Sequence, residues 1–218
     1  MSTSPLPGDP VPVTAEAADR RTRQREQRRN QVYDAAVALF VEQGFENTTM
    51  EQIAQRADVA RATVFNHYQR KTSFLDEWTR RRRARAAVAV GAENIGHWSL
   101  KRILRRYMRE MARISEETRA ETVALMTATV HATDLLAYPV LAEDLAAFIK
   151  QAQARGEANP SISANRAGVI IATSYFAVLT QWISAEPPTF DLETELLGSV
   201  DIVLNGISHT KTRTTSAK

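Results

Sequence analysis

The stretch Thr49–Lys71, TMEQIAQRADVARATVFNHYQRK, decides the architecture of the first third of this chain. Met50, Ile53, Ala54 and Ala57 recur at helical spacing and define one apolar face. Thr49 with Gln52 forms a capping box, in which each side chain satisfies a backbone N–H of the other residue. A tight connection through Asp58 and Val59 leads to a second short helix over about 61–67. Two short helices joined this way cross, and the second stands proud of the surface, as an element that enters a DNA major groove must.

Working outward, residues 22–43 carry Val32, Ala35, Ala36, Leu39 and Phe40 on one face, and Gly44 is placed to end that helix. Leu39 and Phe40 are expected to close a small core with Ile53, Ala54, Ala57, Val59, Val64 and Tyr68. A further helix is expected from Lys71 or Thr72 to Val90, with Phe74, Leu75 and Trp78 facing inward. If Val64 and Tyr68 point in, then Arg61, Ala62, Thr63, Phe65 and Asn66 face out. Arginine pairs with guanine O6 and N7, asparagine with adenine N6 and N7, and apolar groups touch the thymine methyl, so these five are the expected base contacts. Thr49, His67 and Lys71 suit phosphates, which fix register without reading sequence.

The run from Gly44 to Lys71, with T-T-M-x-x-I-A-x-x-A-x-V-A-x-A-T-V-F-x-H-Y-x-x-K after its Gly-Phe, resembles the DNA-binding domain of the tetracycline-repressor (TetR) family over about residues 28–78. The resemblance implies an all-α fold of about nine helices, three of them in an N-terminal helix-turn-helix head. The rest would form a ligand-binding and dimerising body. It also implies a homodimer that represses a promoter and lets go when a small molecule binds. Three positions depart from the family's pattern: Asp58 replaces the usual turn glycine, Ala60 a frequent serine, and Phe65 a frequent tyrosine. The last two remove a helix cap and a hydroxyl contact.

The expected division is a disordered Pro-rich tail over 1–19, the head over 20–78, the body over 79–208 and a frayed polar end over 209–218. Residues 1–85 hold 15 Lys+Arg against 11 Asp+Glu and residues 86–218 hold 13 against 14, so basic charge gathers on the head. Arg20, Arg21, Arg23, Arg25, Arg28 and Arg29 form a candidate arm along the DNA backbone. Arg80–Arg83 point all around one helix and are read as a solvated face, paired by Asp76 to Arg80 and Glu77 to Arg81.

Beyond Gly91 and Gly96, helices are expected over 99–115, 118–132, 139–155, 163–185 and 191–207. Tyr107, Met108, Met111, Met126, His131, Tyr138, Phe148, Tyr175, Phe176 and Trp182 are candidate walls of a pocket for an apolar or aromatic inducer, with plain core as the alternative. A palindromic operator needs two heads, hence two chains. Gly168, Ala172, Tyr175, Leu179, Leu196, Val200, Val203 and Leu204 on the last two helices are the expected dimer seam. The alternative is that both stripes face their own chain's core.

With no cysteine, disulfides and thiolate metal sites are excluded. His67, His97, His131 and His209 show no metal-ligand spacing, and neither a Ser-His-Asp arrangement nor a Gly-rich phosphate loop is present. The expectations are therefore no enzyme, no cofactor, no metal and no membrane partner. The expected partners are double-stranded DNA, a second copy and a small molecule, in the cytoplasm and nucleoid-associated when bound. An architectural DNA-binding protein and a helical protein-interaction module remain open.

Overall fold

The computed structural model describes residues 15–91, 97–132 and 140–205. Within these residues the chain forms nine helices and no strand: α1 (Ala15–Gln43), α2 (Met50–Arg56), α3 (Arg61–His67), α4 (Ser73–Gly91), α5 (Leu100–Glu117), α6 (Arg119–Ala132), α7 (Val140–Ala154), α8 (Ala164–Ile183) and α9 (Leu192–Asn205). None of them is long and apolar enough to cross a membrane.

The ends of the helices follow from local chemistry. Gly44, at φ +87°, turns the chain out of α1, a left-handed conformation in which glycine meets no Cβ clash. Ser99 and Ser163 cap α5 and α8 by accepting from the Arg102 and Arg166 N–H groups. Asp191 does the same for α9 through Thr194. These are the preferred N-cap residues because their short side-chain oxygen reaches an otherwise orphan donor. The start of α1 corrects the expected tail: the helix begins at Ala15 rather than Thr22. Ala15, Glu16, Ala17 and Ala18 are strong helix formers, and Asp19 pairs with Arg23 one turn on. Residues 1–14 and 206–218, with the remaining expectations for the two ends, lie outside the described residues.

Helices α1–α3 pack into the head, and α1 also touches α6 of the body. In the body α7 and α8 form the most extensive pair, with α5 against α4 and α9, and α9 against α8. One continuous apolar core runs through both parts. Helix α4 belongs to each: Phe74, Leu75 and Trp78 are buried at its head end, and Arg82, Ala86 and Val90 at its body end. The expected boundary at 78/79 therefore falls inside an unbroken helix.

Two expectations look different within the folded chain. Gly168, Ala172, Tyr175, Leu179, Leu196 and Val200 are buried within the chain, while Val203 and Leu204 are half-buried beside its core. Gly168 does mark a close approach, but to α7 of its own chain: a Cβ there would lie 2.5 Å from the Ala142 carbonyl oxygen. Helical periodicity shows that a stripe is buried without saying against what, and most of this one packs against its own chain. Arg80–Arg83 are a solvated face only in part: Arg80 is exposed and the expected Glu77–Arg81 pair forms, but Arg82 and Arg83 turn inward. Arg80 and Arg81 both bind the buried Glu77, Arg83 binds Asp144 of α7, and Arg82 is only 5% exposed.

Candidate nucleic-acid interface

The head is built on a cluster of rings. Tyr68 stacks on Phe74 with centroids 4.1 Å apart, and Phe40 meets Phe45 and Phe74. Ile53, Ala54, Ala57, Val64 and Tyr68 are buried around them, as the periodicity requires. The capping box of α2 forms: Thr49 Oγ1 accepts from Gln52 N at 3.2 Å, and Gln52 Oε1 accepts from Thr49 N at 2.8 Å. Asp58 takes the left-handed turn between α2 and α3 at φ +49°. Aspartate tolerates this region better than most side chains but less well than glycine.

With Val64 and Tyr68 inward, Arg61, Ala62 and Asn66 are exposed on α3, and Thr63 and Phe65 are half-buried beside them. Arg61 pairs with Glu51 of α2 at 2.7 Å, both side chains being solvent-facing, and lies over the Phe65 ring. Such an exposed pair is worth little and exchanges readily for a better acceptor. Thr49 is exposed, and its hydroxyl accepts within the cap, which leaves its proton available to an outside oxygen.

The phosphate candidates divide. His67 sits at the end of α3, where burial first, then Arg25, Arg29 and Arg28, hold its imidazole below the ordinary value. The positive charges of those three α1 residues are thus felt at the C-terminus of α3. Lys71 is turned the other way. Its ammonium donates to the Phe45 and Glu46 carbonyls at 2.6 and 3.2 Å and lies over the Phe45 ring. It clamps the loop after α1 and is not free for a phosphate. Arg29 is likewise a strut, donating to Glu77 at 2.8 Å and to the Tyr68 hydroxyl at 3.4 Å. Arg20, Arg21, Arg25 and Arg28 are exposed, and Arg23 is exposed beside Asp19.

In the body, Met111, Met126, Tyr175 and Phe176 come together with Trp78, Thr79, Arg82, Arg83, Leu141 and Leu179 around a small cavity of about 10 Å³. Tyr107, Met108, Phe148 and Trp182 are packed elsewhere in the core: Tyr107 donates to Asp144, and Arg119 covers Trp182. Burial first, and then the Asp144 charge, push the Tyr107 phenol well above its ordinary value, so it stays a donor. Tyr138 and the His131 side chain lie outside the described residues. The sequence reading missed Trp78, Arg82 and Leu141 as walls. The available signal was that four consecutive arginines cannot all face water. A larger opening of about 980 Å³ between the end of α1 and α6 is a shallow groove.

The sequence model for "Bacterial regulatory proteins, tetR family" matches residues 32–78. The head is thus similar to that family's DNA-binding region. The HTH-type transcriptional regulator SrpR of Pseudomonas putida is 40% identical over 50 residues, which make up 23% of this chain and 24% of SrpR. That relative therefore bears on the head alone. Among solved structures, FadR of Thermus thermophilus, a TetR-family transcriptional repressor in complex with lauroyl-CoA, superposes with a TM-score of 0.71 at 23% identity, covering 87% of this chain and 100% of that one. FadR of Bacillus subtilis in complex with stearoyl-CoA gives 0.63 at 16%, covering 82% and 98%. SmeT, the repressor of the Stenotrophomonas maltophilia efflux pump SmeDEF, gives 0.63 at 20%, covering 81% and 88%. These likenesses extend the tetR fold over the body.

Against the tetR pattern, the departures have visible effects. Ala60 leaves α3 without a side-chain cap. Phe65 offers Arg61 a ring face, at 5.3 Å, and no hydroxyl.

Proposed function

We propose that this protein is a homodimeric transcriptional repressor that binds a near-palindromic operator in the cytoplasm and releases it when a small apolar molecule enters the body. The observation that carries the reading is the outward face of α3, with Arg61, Ala62 and Asn66 exposed, together with the exposed arginines of α1, Arg20, Arg21, Arg25 and Arg28. Arg61, Ala62, Thr63, Phe65 and Asn66 read bases. Thr49 and His67, with Arg20, Arg21, Arg25 and Arg28, hold phosphates, and Lys71 and Arg29 keep the head in shape.

The test is binding to an operator selected from genomic fragments, measured against salt. Arg61→Ala and Asn66→Ala are each expected to cost about 1–3 kcal/mol on the selected sequence while leaving random-sequence binding nearly unchanged. Arg25→Ala with Arg28→Ala is expected to weaken both and to flatten the salt slope, because fewer counterions are released. Equal loss on operator and random DNA in the Arg61 variant would make it a phosphate contact.

The seam moves to the outward faces of the same two helices. Val169 and Ile170 on α8 are 41% and 49% exposed, and Ile202 on α9 is 57% exposed. Gly198 on α9 meets nothing that a Cβ would touch, so a partner helix has room to come close. The double variant Ile170→Asp, Ile202→Asp is expected to give a folded monomer by light scattering, with operator affinity lost. A folded variant that stays dimeric places the seam elsewhere.

Release is a population shift: an effector that fits a body conformation with displaced heads lowers operator affinity by its preference for that state. The cavity walls touch, so an effector must part α4 from α6 and α8. Met111 and Met126 are the flexible walls that permit this. The acyl-CoA complexes of the two FadR neighbours support an apolar effector.

A further inference from the structure

A positive charge is buried in the body without an anion against it. Arg82 Nη1 donates to Thr122 Oγ1 at 3.2 Å, and Nη2 donates to Ser115 Oγ and, at 3.5 Å, to the Tyr175 hydroxyl. The guanidinium also lies over the Trp78 ring at 4.7 Å. The Ser115 and Thr122 protons go to the Met111 and Ser115 carbonyls, so both hydroxyls present lone pairs to Arg82. This bed orients the group but supplies no negative charge. No carboxylate of the described residues stands within ion-pair distance of it, and its Nε–H has no hydrogen-bond partner among them. Glu121 feels it from farther off: burial raises that carboxyl, and Arg82 pulls it partly back. Its neighbour Arg83, in the same cavity wall, is closed by Asp144 with two bonds of 2.8 Å.

A guanidinium taken from water is costly unless an anion compensates it, and its planar fork matches a carboxylate. Arg82 lines the cavity whose other walls include Met111, Met126, Leu141, Phe176 and Leu179. The geometry points to an effector with a carboxylate head and an apolar tail, the head paired with Arg82 and the tail among those side chains. This rests on the reading that the body cavity takes an effector. It also assigns the point of action. Arg82 is on α4, and its present partners Ser115 and Thr122 are on α5 and α6, so a carboxylate that draws the guanidinium away from them moves the helix that carries Trp78 and Glu77 into the head.

The test uses the full chain and three probes with one tail: dodecanoate, dodecan-1-ol and dodecyltrimethylammonium, each below its micelle concentration. Binding is read by calorimetry, and operator release in parallel. Dodecanoate is expected to bind at least about tenfold tighter than the alcohol, as a charge-assisted pair in a dry site should. Arg82→Gln is expected to erase that preference while keeping the alcohol, and Arg82→Lys to keep part of it, with helicity checked by circular dichroism. Equal binding of acid and alcohol to the unaltered protein, tighter binding of the ammonium, no binding of dodecanoate, or an undiminished preference in folded Arg82→Gln overturns the inference. The unaltered protein decides the matter even if both variants fail to fold. Acid and alcohol releasing DNA equally well overturns the head-group assignment and leaves the effector reading standing. An Arg82-dependent preference without release upholds the assignment and overturns release.

Discussion

Gly168→Ala is expected to destabilise the body by about 2 kcal/mol, although alanine is the better helix former by about 1 kcal/mol. The added methyl would lie 2.5 Å from the Ala142 carbonyl oxygen, 3.1 Å from the Ala146 nitrogen and 3.3 Å from its Cβ. Two of these are backbone atoms of α7, which cannot swing aside as a side chain would. The helices must separate along their whole contact, loosening Ile171, Ala172 and Tyr175 of α8 and Leu145 and Ile149 of α7, all buried. Gly168→Leu is expected not to fold. Urea denaturation followed by circular dichroism checks both. A more stable alanine variant would mean that α7 and α8 sit farther apart in solution, and a folded monomeric one would restore Gly168 to the dimer seam.

Glu77→Gln is expected to cost about 2–3 kcal/mol, the loss typical of breaking a buried ion pair from one side, reduced because the arginines are partly solvated. Glu77 is 4% exposed and accepts from Arg29 of α1, and from Arg80 and Arg81 of its own helix, at 2.6–2.8 Å. Burial alone would raise its carboxyl, but the bonds from Arg80 and Arg81 and the charge of Arg29 outweigh burial and hold it at about 2. The unfolded chain therefore takes up a proton near the ordinary carboxylate value while the folded chain does not. The stability from this group is fully present above about pH 4.5 and is lost as pH falls through about 2. The stability curves of the parent and Glu77→Gln should lie apart near neutrality and converge over that window. A constant gap down to pH 2 would mean that the carboxylate is not what the arginines hold. The variant should also bind operator less tightly, because Arg29 then no longer ties α1 to α4.

The head was legible because its signals are local. Helical period, a capping box, a glycine stop and a short turn each occupy a few consecutive residues, and together they leave only one face of α3 outside. The body was less so, because apolar period does not name a neighbour. The stripe of Ala172, Tyr175 and Leu179 would look the same against α7 as against a second chain, and only the approach at Gly168 distinguishes them. Arg82 shows the other limit. Its partners are 33, 40 and 93 residues away, so nothing beside it in the chain marks it as the inward member of its run. Lys71 was misread because its acceptors are backbone carbonyls, which every residue carries and no sequence displays.

That α4 runs unbroken from the head core into the body also governs how such chains can be recombined. A crossover at 78/79, where sequence likeness to the family ends, would join two halves of one helix from different parents. It would separate Glu77 from Arg80 and Arg81, and Trp78 from Arg82. A chimera built to pair this head with another body keeps its internal contacts only if the graft carries α4 through Gly91, along with acceptors to replace Ser115, Thr122 and Asp144. The exchangeable unit for engineering is thus longer than the recognisable one.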